Sequence, residues 1–298
     1  MRMLNLIRAE WLKLTRRPLT WVLLAVFLGL LVLQLLAQFV FLQLAASLGL
    51  ASDQATFGAQ LAEWQRRTVF PGLLGAVFGH INGLGGVFAV ILTAGAMGSE
   101  YSWGTLRTQL ARHPARSRYL LGKLATLLAL LVVAMVITLL LGAALGGLLG
   151  ALVGNVGVID ASDLLVLPLA ILRALYVLLP YVLLTLCLTI VGRSLLVGVA
   201  GGLLYLVFEA GFGAFATFAR LGGLWQAIYN LTIQQNINTL VQLNSHAFGL
   251  RPEEATPAIA LAQLPSPLQA SLVVALYCVS FLATALYVFR KRDITGAA

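Results

Sequence analysis

The chain has 298 residues, 60% of them hydrophobic and only 10% charged, with a mean hydropathy of +0.96. Soluble domains carry roughly a quarter charged residues, so a soluble globular protein is excluded; at about 20 apolar residues per crossing there is room for about six membrane spans and no large soluble domain. The net charge of +9 sits at the ends of apolar runs rather than on one basic face, which argues for membrane topology and against nucleic acid as a partner.

Residues 1–18, MRMLNLIRAEWLKLTRRP, hold five positive charges and one acid, with Leu4, Ile7, Trp11 and Leu14 at helical spacing. This pattern predicts a short interfacial helix. The uncharged run that follows, Pro18 to Ser52, is longer than a signal-peptide core, so a retained first span is expected over 19–45. Residues 46–70 have cancelling charges and read as an outer loop with a short helix.

A second span is expected over 72–98, where Gly75, Gly79 and Gly83 recur every fourth residue and read as a helix-packing face. Next comes a basic stretch, SEYSWGTLRTQLARHPARSRYLLGK, with five Lys or Arg against the single acid Glu100. Its spacing predicts an amphipathic surface helix from about Tyr101 to His113, ended by Pro114, with its polar side offered to a partner. A third span covers 119–149, where Gly142 and Gly146 repeat the small-residue device. Spans four and five, 164–191 and 195–218, are separated only by Gly192, Arg193 and Ser194 and therefore form an antiparallel hairpin. Residues 219–267 are too polar to cross and too apolar to float free, and are expected to cap the outer face or dip into the membrane. The last span runs over 268–289. Cys187 and Cys278 lie in apolar runs without any metal-ligand or redox spacing and read as packing residues.

With the N-terminus inside, fourteen Lys and Arg fall on the inner side and four on the outer. That bias predicts six spans in one transmembrane domain, 1–298, with both termini cytoplasmic. Three ionisable residues fall inside spans: His80, Arg173 and Glu209. A buried intramembrane charge costs on the order of 2.5–3.5 kcal/mol, so each needs a partner or a wet cavity. Heights counted along the hairpin place Arg173 and Glu209 within about one turn of each other, as a candidate ion pair in an outer gate or pathway; the plain alternative is that Arg173 snorkels to the surface and His80 is a satisfied helix-end residue.

No phosphate-binding loop is present, the nearest candidate keeping only Gly122-Lys123, and no metal-ligating or nucleophilic constellation appears. The chain therefore reads as neither an enzyme nor a binder of cofactors.

The order of parts, and above all Glu100, Tyr101, Gly104, Thr105, Arg107, Pro114, Arg118, Gly122 and Lys123, resembles the permease subunit of ABC-2 type transporters, the family that includes drug, antimicrobial-peptide and lantibiotic-immunity exporters. The resemblance implies an all-α, six-span half-transporter with an interfacial helix, a cytoplasmic coupling helix and outer re-entrant helices. It dimerises, as a homodimer or with a related chain, in a bacterial or archaeal plasma membrane. Two copies of a separate cytoplasmic ATPase would bind ATP and Mg. Residues 99–118 would form the coupling segment, with Glu100, Tyr101, Trp103, Gly104, Thr105, Arg107 and Arg112 at the ATPase and Arg193 as a second contact. A membrane anchor that docks soluble partners without transport, or an ion-coupled secondary transporter, are the other readings the composition allows.

Overall fold

The computed structural model describes residues 3–48, 55–112, 115–218, 224–252 and 264–291. They form an all-α bundle: α1 (Met3–Thr15), α2 (Pro18–Ser47), α3 (Ala55–Arg66), α4 (Gly72–Ser102), α5 (Thr105–Arg112), α6 (Arg116–Val153), α7 (Ala161–Gly192), α8 (Leu195–Phe218), α9 (Leu224–Tyr229), α10 (Ile233–Ala247) and α11 (Pro267–Lys291). Six of these, α2, α4, α6, α7, α8 and α11, contain stretches long and apolar enough to cross a membrane.

The helix ends follow from local chemistry. Pro18 opens α2, where its missing N–H costs no hydrogen bond. Gly154, at φ 74°, closes α6 in the left-handed conformation. At the start of α7 the Asp160 N–H donates to Asp163 Oδ2 at 3.0 Å, and Thr232 Oγ1 caps α10 by accepting from the Gln235 N–H.

Helices α4 and α7 form the centre and are mostly buried, whereas α2, α8 and α11 keep most of their surface outward. An outward face of Leu, Val and Phe, such as Leu204, Val207 and Phe208 on α8, suits lipid as its solvent. Gly142 and Gly146 of α6 lie against Val77 and Leu73 of α4, so a side chain at either position would drive the two helices apart. The stripe on α4 is different. Gly75 packs on Phe248 and Leu250, but among the described residues nothing lies within 4 Å of a Cβ built at Gly79 or Gly83, so these two glycines are not a close helix contact there.

Helix α10 is sunk between α4, α7 and α11, burying Ile233, Ile237 and Leu240 together with Gln235, Asn236 and Asn244. Amide N–H groups of the polar half bond to backbone at this depth, as Asn236 Nδ2 does to Asn230 O and Thr232 O, while Asn236 Oδ1 is left without a partner among the described residues. Much of the Pro-containing stretch after α10 lies outside the described residues.

Candidate functional site

The N-terminal end of α6, the C-terminal ends of α4, α7 and α11, and all of α1 and α5 meet at one end of the bundle. Helix α1 carries a buried stripe of Leu6, Glu10 and Leu14 at steps of four, while Leu4, expected on the apolar face, is exposed. Gly122 lets α1 sit close on α6: a Cβ there would lie 2.6 Å from Leu6.

Within that contact four helices contribute to one ion network. Lys123 is fully buried, and its Nζ donates to Glu10 Oε2 at 2.8 Å and to Glu100 Oε1 at 2.7 Å. Lys13 adds bonds to Glu10 Oε1 at 3.3 Å and to Glu100 Oε1. Tyr119 donates to Glu100 Oε2 at 2.7 Å and lies 3.0 Å from the Gln109 side-chain amide on α5. Two carboxylates and two ammonium groups balance, which is what makes burial of Glu10, Glu100 and Lys123 tolerable, with Lys13 at the partly exposed edge. Alongside, Arg17 donates to Ser99 Oγ at 2.7 Å and Gly95 O at 3.1 Å, and its guanidinium stacks 5.2 Å from the Trp103 ring.

Glu100 has no accessible surface in this arrangement, which corrects its reading as a contact for a partner. The coupling segment also starts differently from the single helix expected over 101–113. Helix α4 runs on through Ser102 and then turns at Gly104, whose φ of 64° favours glycine, before α5 begins at Thr105. His113 and Pro114 lie outside the described residues.

Helix α5 is seated by Leu106, buried at 2% exposure, and by Gln109. Trp103 stands outside at 67% exposure, with Gly104 and Thr108 also exposed and Tyr101 and Thr105 half-buried. Arg107 and Arg112 belong to α5, but their side chains are outside the described residues. Beside α5 a cleft of about 540 Å³ is lined by Lys13, Arg16, Arg17, Trp103, Thr105 and Gln109, a basic surface with one aromatic side chain, suited to an acidic protein face. Arg193 sits at the nearby α7–α8 turn, exposed and left-handed at φ 49°.

The intramembrane residues do not form the expected cluster. Arg173 donates to Asn244 Oδ1 at 2.9 Å, at the C-terminal end of α10, while Glu209 accepts from the Ile233 N–H at 2.8 Å, at its N-terminal end. The two charges thus oppose the two ends of the α10 dipole instead of each other, each with the favourable sign. His80 is tied to α2, its Nδ1 2.8 Å from Gln34 Oε1 and its Nε2 3.1 Å from Phe27 O. It borders a cleft of about 430 Å³ with Arg67, Gly79, Gly83 and Ser245. A stability cycle on Arg173→Leu and Glu209→Gln is therefore expected to be additive within about 0.5 kcal/mol. The Arg173→Leu and Asn244→Leu pair is expected to couple by about 0.5–3 kcal/mol, read from denaturation in detergent.

Glu10, Lys13, Tyr119 and Gln109 belong to this site although the sequence singled out none of them. One signal was available for Glu10, the lone acid of the N-terminal segment, which falls four residues from both Leu6 and Leu14. Comparison with curated proteins finds no match to the chain. The family model described as ABC-2 family transporter protein matches residues 4–294, nearly the whole chain, and the protein belongs to that family as a multi-pass membrane permease.

Proposed function

We propose that this permease is one half of an ATP-driven exporter of hydrophobic or amphipathic substrates, powered by two copies of a separate cytoplasmic ABC ATPase. The observation that carries the reading is the linkage from α5 inward: Gln109 to Tyr119, Tyr119 to Glu100, Glu100 to Lys123, and Lys123 to Glu10. A push on α5 is delivered through the Gln109–Tyr119 contact and from there through short, charge-assisted bonds to the ends of two spans and to α1 at once, so the helices move as a body rather than through a yielding loop. The permease dimerises, its termini and α5 face the cytoplasm of a bacterial or archaeal cell, and ATP and Mg belong to the partner. The positive-inside distribution supports that orientation.

The test is co-purification with the cognate ABC ATPase, followed by ATPase assays in lipid. Trp103→Ala is expected to reduce co-purification severalfold, because it removes a large, exposed aromatic side chain from the basic cleft, while leaving the yield of permease unchanged. Equal ATPase recovery with wild type, Trp103→Ala and a variant lacking 105–112 would overturn the coupling role of α5.

A further inference from the structure

The seam between α4 and α8 is closed by small residues over most of its length: Gly98 lies against Leu195, Ala94 against Gly198, Val90 against Gly202, and Gly86 against Leu206. Each step of four along α4 is matched by three or four along α8 in the opposite direction. One turn beyond the Gly86–Leu206 pair, Asn82 on α4 and Glu209 on α8 come to the same level. At this level the seam changes character. Both polar atoms of the Asn82 amide are buried without a hydrogen-bond partner, and so is Glu209 Oε2, on a residue only 2% exposed.

The other carboxylate oxygen is already occupied, by the Tyr205 hydroxyl at 2.9 Å and the Ile233 N–H at 2.8 Å. Tyr181 lies close to the carboxylate, its hydroxyl bonded to Gln234 Oε1, and Tyr277 bonds to Leu231 O. Among the described residues no cation pairs with Glu209, and Arg173, the nearest candidate by height, is committed to Asn244.

A free carboxylate oxygen and a free amide oxygen buried at one level point to a ligand that donates to both. A calcium or magnesium ion would need about six oxygens or more and finds two free ones here. An anion would be repelled, and a neutral ligand would leave the charge unpaired. An ammonium group needs two or three acceptors, and the phenol rings nearby favour a cation.

We propose that the Asn82–Glu209 level of the α4–α8 seam binds the ammonium group of an amphipathic amine, with Glu209 Oε2 as its counter-ion and the Asn82 amide as its second partner. The inference rests on the permease reading and names the substrate class for it: amines with an apolar body, which enter from lipid and leave by this seam.

The experiment uses the full-length permease in lipid nanodiscs, without ATPase or ATP, and compares dodecylamine with dodecanol by equilibrium dialysis against empty nanodiscs. Wild type is expected to take up dodecylammonium saturably and dodecanol only as the lipid does. Glu209→Gln should weaken binding about tenfold or more, as loss of a charged partner does, and Asn82→Leu about fivefold. Asn82→Leu leaves the Glu209 bond to α10 intact, so it decides the matter should Glu209→Gln fail to fold. Absence of saturable binding to wild type, equal saturable binding of dodecanol, or unchanged affinity in Asn82→Leu overturns the proposal. When the cognate ATPase and ATP are then added, amine binding without amine-stimulated ATP hydrolysis would instead count against the coupling reading.

Discussion

Lys123→Met is expected to destabilise the protein by about 3–5 kcal/mol, the cost of leaving buried carboxylates without their central counter-ion. Glu10 and Glu100 would remain at 3% and 0% side-chain exposure with only Lys13, itself a quarter exposed, to neutralise them. Because Lys123 joins α6 to α1 and α4, the first visible consequence should be release of α1. Protease access to the segment around Arg8, together with a fall of many degrees in the detergent melting temperature, measures it. Neutralising these three groups, Lys123→Met with Glu10→Gln and Glu100→Gln, should recover most of the loss, since the one charge left, on Lys13, is a quarter exposed and reaches water. A single variant that melts within a degree of wild type would show that the network carries no structural load.

Gly104→Pro should reduce export to background while the protein still inserts and accumulates normally. The glycine sits at φ 64°, whereas proline is held near −65°, and the Gly104 N–H that donates to Tyr101 O at 3.2 Å would be lost. Nothing lies within 4 Å of a Cβ at this position, so the effect comes from the backbone turn alone and not from a clash. That separates a graded series: Gly104→Ala costs about 1–2 kcal/mol to hold left-handed and should impair export partly, while Gly104→Asn should be milder. Transport assays in cells with matched membrane levels check it, and wild-type export by Gly104→Pro would refute the need for a fixed α4–α5 turn.

Both expectations depend on features that differ in how visible they are along the chain. The Gly104 turn was half legible: glycine followed by Thr and then basic residues marks a helix boundary, but a periodicity of apolar residues across Tyr101–Leu110 reads through it as one helix. Only the left-handed φ shows that α4 ends there. The ion network was less legible, because Glu10 and Lys123 are 113 positions apart and a lone acid among bases looks solvated. Glu100 looked exposed for the same reason. Arg173 and Glu209 were placed at compatible heights by helical rise, yet height does not set direction around the axis, and α10 offered each a closer partner of the right polarity.

The amino-acid sequence alone determined that this protein is an all-α membrane chain with six apolar crossings, a charge bias between its two ends and the family pattern of a permease. Those properties come from composition and local spacing, which act through transfer of side chains between water and lipid and need no knowledge of neighbours. The tertiary structure decided which charges face each other, where α5 begins, and that α10 sinks between the central helices. These outcomes depend on rotation and depth of helices packed from distant parts of the chain, where a few degrees choose between a salt bridge, a helix dipole and an unsatisfied oxygen.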